Sequence, residues 1–137
     1  MKIKNILLAP ALALALALVN FVHAGDPDNY AAESEAAMAA AGEVIFNHHC
    51  RACHSADSSK NTFGPQLHGV LNRKAGSLPR YVYSDALKNS GITWNDKKLR
   101  QWINANDLLV PGTRMRHVNI NDEAAQDYLI AFLKTLK

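Results

Sequence analysis

Cysteine is scarce: the chain holds two, Cys50 and Cys53, three positions apart. A disulfide framework is excluded, except as that single small loop. A structural zinc site needs four ligands, and neither a second C-x-x-C nor an H-x-x-x-H follows. Methionine is nearly as rare, with Met38 and Met115 the only two after Met1. No stretch alternates as a strand does, and internal repeats and long charge runs are lacking. One-signed charge is weak as well. The net +3 includes Lys2 and Lys4 of the first segment, and without them 13 basic residues face 12 acidic ones. A basic patch for nucleic acid is therefore not expected.

The first 24 residues read as a secretory signal peptide. Lys2 and Lys4 make a basic start, residues 6–19 form an Ala/Leu run broken at Pro10, and Val22-His23-Ala24 is a small-residue cleavage site before Gly25. The run is short for a bilayer crossing of about 20 residues, and Asn20 and His23 interrupt its far end. Cleavage after Ala24 is expected, with export to the periplasm and no stable membrane insertion. Residues 25–34 are expected as a flexible leader, and residues 35–137 as one small domain.

Against these absences stands Cys50-Arg51-Ala52-Cys53-His54. C-x-x-C-H is the signature of covalent c-type haem attachment. Each thiol adds across one haem vinyl group, and the next residue brings its imidazole under the iron. A thioredoxin-like pair would use the same two thiols, but it expects a βαβ context and no obligatory histidine. Export suits the haem reading, because the thiols must be joined outside the reducing cytosol.

The remainder reads as all-α, with helices separated by turn-rich loops. A first helix is expected to begin within residues 30–41, capped by Ser34, and to run through Val44, Ile45 and Phe46 towards Cys50. Gly42 inside it costs about 1 kcal/mol relative to alanine, which implies a second backbone packed close. Ala125, Tyr128, Leu129, Phe132, Leu133 and Leu136 form the apolar stripe of a last helix, capped by Asn121. That stripe is expected to pack on Gly42 and Phe46. A third helix from Asn95 or Asp96 to about Asn106 turns Leu99, Trp102 and Ile103 inward, and residues 84–89 hold a shorter one. So much loop in a small domain needs an apolar mass to pack on, which a buried haem supplies.

For a sixth iron ligand the residues themselves leave a choice. Met38 lies in an Ala-rich helix and reads as packing. His48 and His49 abut Cys50, and His68 follows Pro65 too closely to reach the other haem face. Met115, in a loop stiffened by Pro111, and His117, two residues on, remain.

From Gly42 to Lys137 the chain resembles a class I cytochrome c of the mitochondrial and bacterial type. The residues that carry the likeness are Gly42, Phe46, the Cys50–His54 motif, Gly64-Pro65-Gln66-Leu67-His68-Gly69, Asn72-Arg73-Lys74-Ala75-Gly76, Tyr81-Val82-Tyr83-Ser84, Gly91-Ile92-Thr93-Trp94 and Pro111-Gly112-Thr113-Arg114-Met115. Tyr128-Leu129-Ile130-Ala131-Phe132-Leu133 completes them. The resemblance implies a small all-α fold whose terminal helices cross, wrapped on one covalent haem c. It implies thioether bonds at Cys50 and Cys53 and iron ligation by His54 and Met115. The Pro65 carbonyl would accept the other His54 ring N–H. Tyr83 and Trp94 would bond a propionate, with Arg73 and Tyr81 beside it and Thr113 supporting the other. Trp102, where the family commonly has tyrosine, would wall the haem with Leu67, Leu99 and Ile103.

Met/His ligation fills both iron positions and raises the reduction potential, which suits a one-electron carrier rather than an enzyme. The expected partners are redox proteins met by a monomeric shuttle. A haem subunit of a larger periplasmic oxidoreductase is the alternative, and a haem enzyme or gas sensor with a labile sixth ligand is a further one. Where the mitochondrial proteins carry lysines around the haem edge this chain has His49, Asp107, Asn121 and Asp122, and Arg114 alone keeps the charge. Steering by a basic face is thus expected to be weak.

Overall fold

The computed structural model describes residues 27–60, 62–116 and 118–137. The expected signal peptide and His117 lie outside the described residues. Among the described residues are four helices: α1 (Pro27–His49), α2 (Asp85–Lys88), α3 (Asp96–Leu109) and α4 (Glu123–Thr135). There is no strand among them, only an isolated antiparallel bridge between Lys74 and Thr93. The all-α expectation holds.

The long helix α1 is rich in alanine, the best helix former, through its middle. Asp28 in its first turn and His48 and His49 in its last complement the helix dipole. It starts earlier than expected. The segment read as a leader is helical from Pro27, and Ser34 is interior rather than a cap. Proline suits a helix start, where its missing N–H has no partner to lose.

α1 packs on α4, and Gly42 permits it. A Cβ at Gly42 would collide with the Tyr128 carbonyl oxygen and lie 2.8 Å from the Phe132 Cβ. One turn on, the Phe46 and Phe132 rings meet at 5.1 Å. Phe46, Leu129 and Ile130 are essentially excluded from water. At full burial each such side chain contributes about 2 kcal/mol. The cap of α4 is Asp122, not Asn121; its carboxylate accepts from the Ala125 N–H at 2.7 Å. A carboxylate there both caps and answers the positive helix end.

α3 begins as expected, with the Asn95 side chain accepting from the Lys98 N–H at 2.9 Å. It runs on past Asn106 to Leu109 through a kink at Ala105. Two ion pairs, Arg100 to Asp127 and Lys134 to Asp96, tie α3 to α4. Ser84 caps α2 through the Leu87 N–H. No helix among the described residues is long and apolar enough to cross a membrane.

Candidate functional site

α1 ends by turning directly into the cysteine motif. The N–H groups of Cys50 and Arg51 both reach the Phe46 carbonyl, and the His54 N–H reaches that of Cys50 at 2.8 Å. This tight turn places Cys50, Cys53 and His54 on the wall of a cavity of about 720 Å³. That lies within the roughly 300–1,000 Å³ span of cofactor pockets. All the site residues named from the sequence line it: Cys50, Cys53, His54, Pro65, Arg73, Tyr81, Tyr83, Trp94, Trp102, Thr113 and Met115. Leu67, Leu99 and Ile103 add apolar wall. Met38 and His68 do not border it.

His54 is buried and fixed. Its Nδ1 lies 2.7 Å from the Pro65 carbonyl, which can only accept, so Nδ1 carries the proton. In the neutral ring Nε2 then holds the lone pair. Burial lowers the pKa of His54, opposed in part by the Pro65 bond. The neutral, metal-binding form is thereby favoured. Gly64 lets the loop close on this ring, because a Cβ there would sit 2.7 Å from the His54 Cε1 and 2.8 Å from the Cys53 carbonyl.

The two thiols are free of one another. Burial, with a smaller contribution from Cys53, pushes the Cys50 thiol up to about 11. Thioredoxin-like chemistry needs a depressed thiol pKa. The environment therefore opposes the redox-pair reading of the motif.

Met115 is held at three atoms. Its sulfur accepts from the Trp102 indole N–H at 3.0 Å, and its amide donates to the Thr113 hydroxyl at 3.3 Å. Its carbonyl accepts from the Asn106 side-chain amide at 2.8 Å. In the sequence Asn106 marks only the end of a helix, yet it is 1% exposed. Its spacing of four from Trp102, on the buried face, was the available signal. Gln126, which no sequence signal singles out, is likewise buried and donates to the Ile120 carbonyl at 2.7 Å.

The polar end of the cavity is more crowded than expected. The Arg73 guanidinium donates to the carbonyls of His68 and Gln66 at 2.8 and 3.1 Å. The Tyr81 hydroxyl donates to the Phe63 carbonyl at 3.1 Å. Burial raises the pKa of Tyr83, with the neighbouring Arg73 opposing. The Tyr81 and Tyr83 rings meet edge to face at 4.7 Å, as do those of Trp94 and Trp102 at 5.2 Å.

Two thiols in the attachment spacing, a neutral imidazole beside them and a large apolar cavity fit a covalent porphyrin. The fold and the site together define a small helical haem protein.

Comparison with known proteins agrees. The family model for cytochrome c matches residues 39–137. Cytochrome c2 of Rhodoblastus acidophilus is 41% identical over 115 residues, spanning 83% of this chain and 95% of its own. Cytochrome c-550 of Bradyrhizobium diazoefficiens is 43% identical over 96 residues, 69% of this chain and 70% of that protein. Among solved structures, cytochrome cH from Methylobacterium extorquens superposes with a TM-score of 0.66 at 47% identity, over 71% of this chain and 97% of that one. The chain belongs to the cytochrome c family. It binds one haem c, covalently through Cys50 and Cys53, and serves in electron transfer rather than as an enzyme.

Proposed function

We propose that this chain is a diffusible one-electron carrier whose haem iron is held by His54 and Met115. The observation that carries this reading is that the buried imidazole and the thioether line one cavity, each already fixed by other bonds. The haem, when bound, supplies the one-electron couple. The chain's own residues do the rest. Pro65 orients His54 and strengthens it as a donor. Trp102, Thr113 and Asn106 keep Met115 from drifting. Leu67, Leu99 and Ile103 exclude water, which disfavours the more highly charged oxidised centre. Tyr83, Trp94, Arg73, Tyr81 and Thr113 are assigned to the propionate end, where Arg73 offers charge compensation.

The remaining assignments belong to the same reading. Residues 1–24 are an export signal removed after Ala24, residues 25–34 a lead-in segment, and residues 35–137 the cytochrome domain. The mature protein is a periplasmic monomer that meets donor and acceptor proteins in brief encounters. Few lysines stand where a basic docking face would be, so its reaction rates are expected to vary little with ionic strength.

Spectroscopy tests the ligation. A ferric iron–thioether bond gives a weak far-red charge-transfer band. The wild type is expected to show that band, and Met115→Ala to lose it. Rapid binding of carbon monoxide to the untreated ferrous wild type at neutral pH would overturn the carrier reading in favour of a sensor or enzyme with a labile sixth position.

A further inference from the structure

We infer that Asn106 is a positioning residue that governs how readily the Met115 sulfur yields its place to another ligand. The inference rests on Met115 as iron ligand. Three observations converge on it. First, Asn106 is 1% exposed, among the most deeply buried side chains of the molecule, although it is polar. An amide so buried is costly unless its bonds are made. Second, its Nδ2 donates to the Met115 carbonyl at 2.8 Å, across a separation of nine residues. Third, α3 is non-helical at Ala105 (φ −155°, ψ 77°), the residue just before. Asn106 and Trp102, both on α3 and on either side of this kink, bond two different atoms of one methionine.

The two bonds divide the work. Trp102 touches the sulfur, so it moves with the bond it influences. Asn106 holds the backbone from which the sulfur swings. Among the described residues the Met115 amide is tied locally, to Thr113 within its own loop. Of the three anchors, the one from Asn106 joins the methionine backbone to a helix rather than to the loop itself. The Asn106 carbonyl also accepts from the Val110 N–H at 2.9 Å, so the same residue pins the start of that loop. Releasing the amide bond frees the main chain of Met115 while leaving the indole in place. The sulfur then departs more often, and an external ligand captures the iron sooner.

The test uses the ferric haem-loaded protein, with imidazole as the entering ligand. Asn106→Leu keeps the approximate shape and removes the donor. It is expected to bind imidazole about tenfold faster than wild type, the effect of losing one buried hydrogen bond. Phe132→Ala serves as a stability control, since Phe132 packs on Phe46 in the α1–α4 crossing, away from the loop. It should lower the melting temperature but leave imidazole binding near the wild-type rate. Wild-type rates in Asn106→Leu overturn the inference, as does equal acceleration in Phe132→Ala. If Asn106→Leu does not fold, the wild type decides. Its Asn106 side-chain amide protons should exchange slowly with solvent, and fast exchange overturns the inference. Absence of the far-red band in the wild type would instead mark failure of the Met115 assignment itself.

Discussion

The α1–α4 crossing and the Met115 loop solve opposite problems with different chemistry. At the crossing, two helices satisfy their own backbones and need only fit, so Gly42, Phe46, Leu129 and Phe132 join them by shape and apolar burial. Around Met115 the chain is irregular, and its backbone has no helical ladder of its own. There each fixed point is a polar side chain reaching a particular atom: Trp102 to sulfur, Asn106 to carbonyl, Thr113 to amide. The same contrast recurs on the other side of the cavity, where the Pro65 carbonyl fixes His54 and Arg73 braces two carbonyls of its own loop. Packing thus builds the frame, and directed hydrogen bonds aim His54 and Met115.

Substitutions at the two regions should separate stability from electronic properties. The largest effect is expected at the crossing. Gly42→Ala drives a methyl into the Tyr128 carbonyl, which is backbone and cannot rotate away. It should cost more than about 3 kcal/mol, the upper end of ordinary overpacking, measured by guanidinium unfolding of the haem-loaded protein. A change under about 1 kcal/mol would mean that the helices separate easily. Trp102→Phe comes next and should act differently. With Met115 on the iron as proposed, withdrawing the N–H from the sulfur would make the thioether a better donor to the oxidised iron, so the potential should fall. A bond worth about 1 kcal/mol in one oxidation state corresponds to roughly 40 mV in a one-electron couple. Redox titration reads it, and an unchanged or raised potential would remove the indole from the tuning role.

Tyr83→Phe tests the polar end through pH. Burial raises the Tyr83 phenol above its ordinary 10.0, so the folded chain keeps a proton that the unfolded chain gives up. The unfolded state then binds fewer protons, and stability falls as pH climbs past about 10. The phenylalanine variant should show a flatter decline between about pH 9 and 11 in unfolding measurements. Smallest of all is Asp96→Asn. It breaks the half-exposed pair with Lys134 and should cost under about 1 kcal/mol, shrinking further in salt.

How much was legible follows the same division. The motif, the stripe on α4 and the implied neighbour of Gly42 were readable because each depends on local spacing or on periodicity. The cap of α4 was misplaced by one residue because Asn121 and Asp122 are both good caps, and only the backbone path chooses between them. The start of α1 was misplaced because Asp, Pro and Asn close to a chain segment's start read as breakers, while proline is equally at home in a first helical turn. Asn106 was not readable as a site residue. A polar side chain at the end of an amphipathic helix usually meets water, so its place on the buried stripe with Leu99, Trp102 and Ile103 was weak evidence, and its partner, the Met115 carbonyl, exists only in the folded chain.

By itself the order of residues determined the covalent chemistry and the helical class. A thiol pair with an adjoining histidine, and a 3.6-residue apolar period, are properties of neighbours along the chain. Only the tertiary structure decided which atoms hold His54 and Met115 at the cavity. A carbonyl at Pro65, an indole at Trp102 and an amide at Asn106 come from segments far apart in sequence. Hydrogen bonds depend on angle and distance at the scale of tenths of an ångström, and such geometry exists only once the segments have packed.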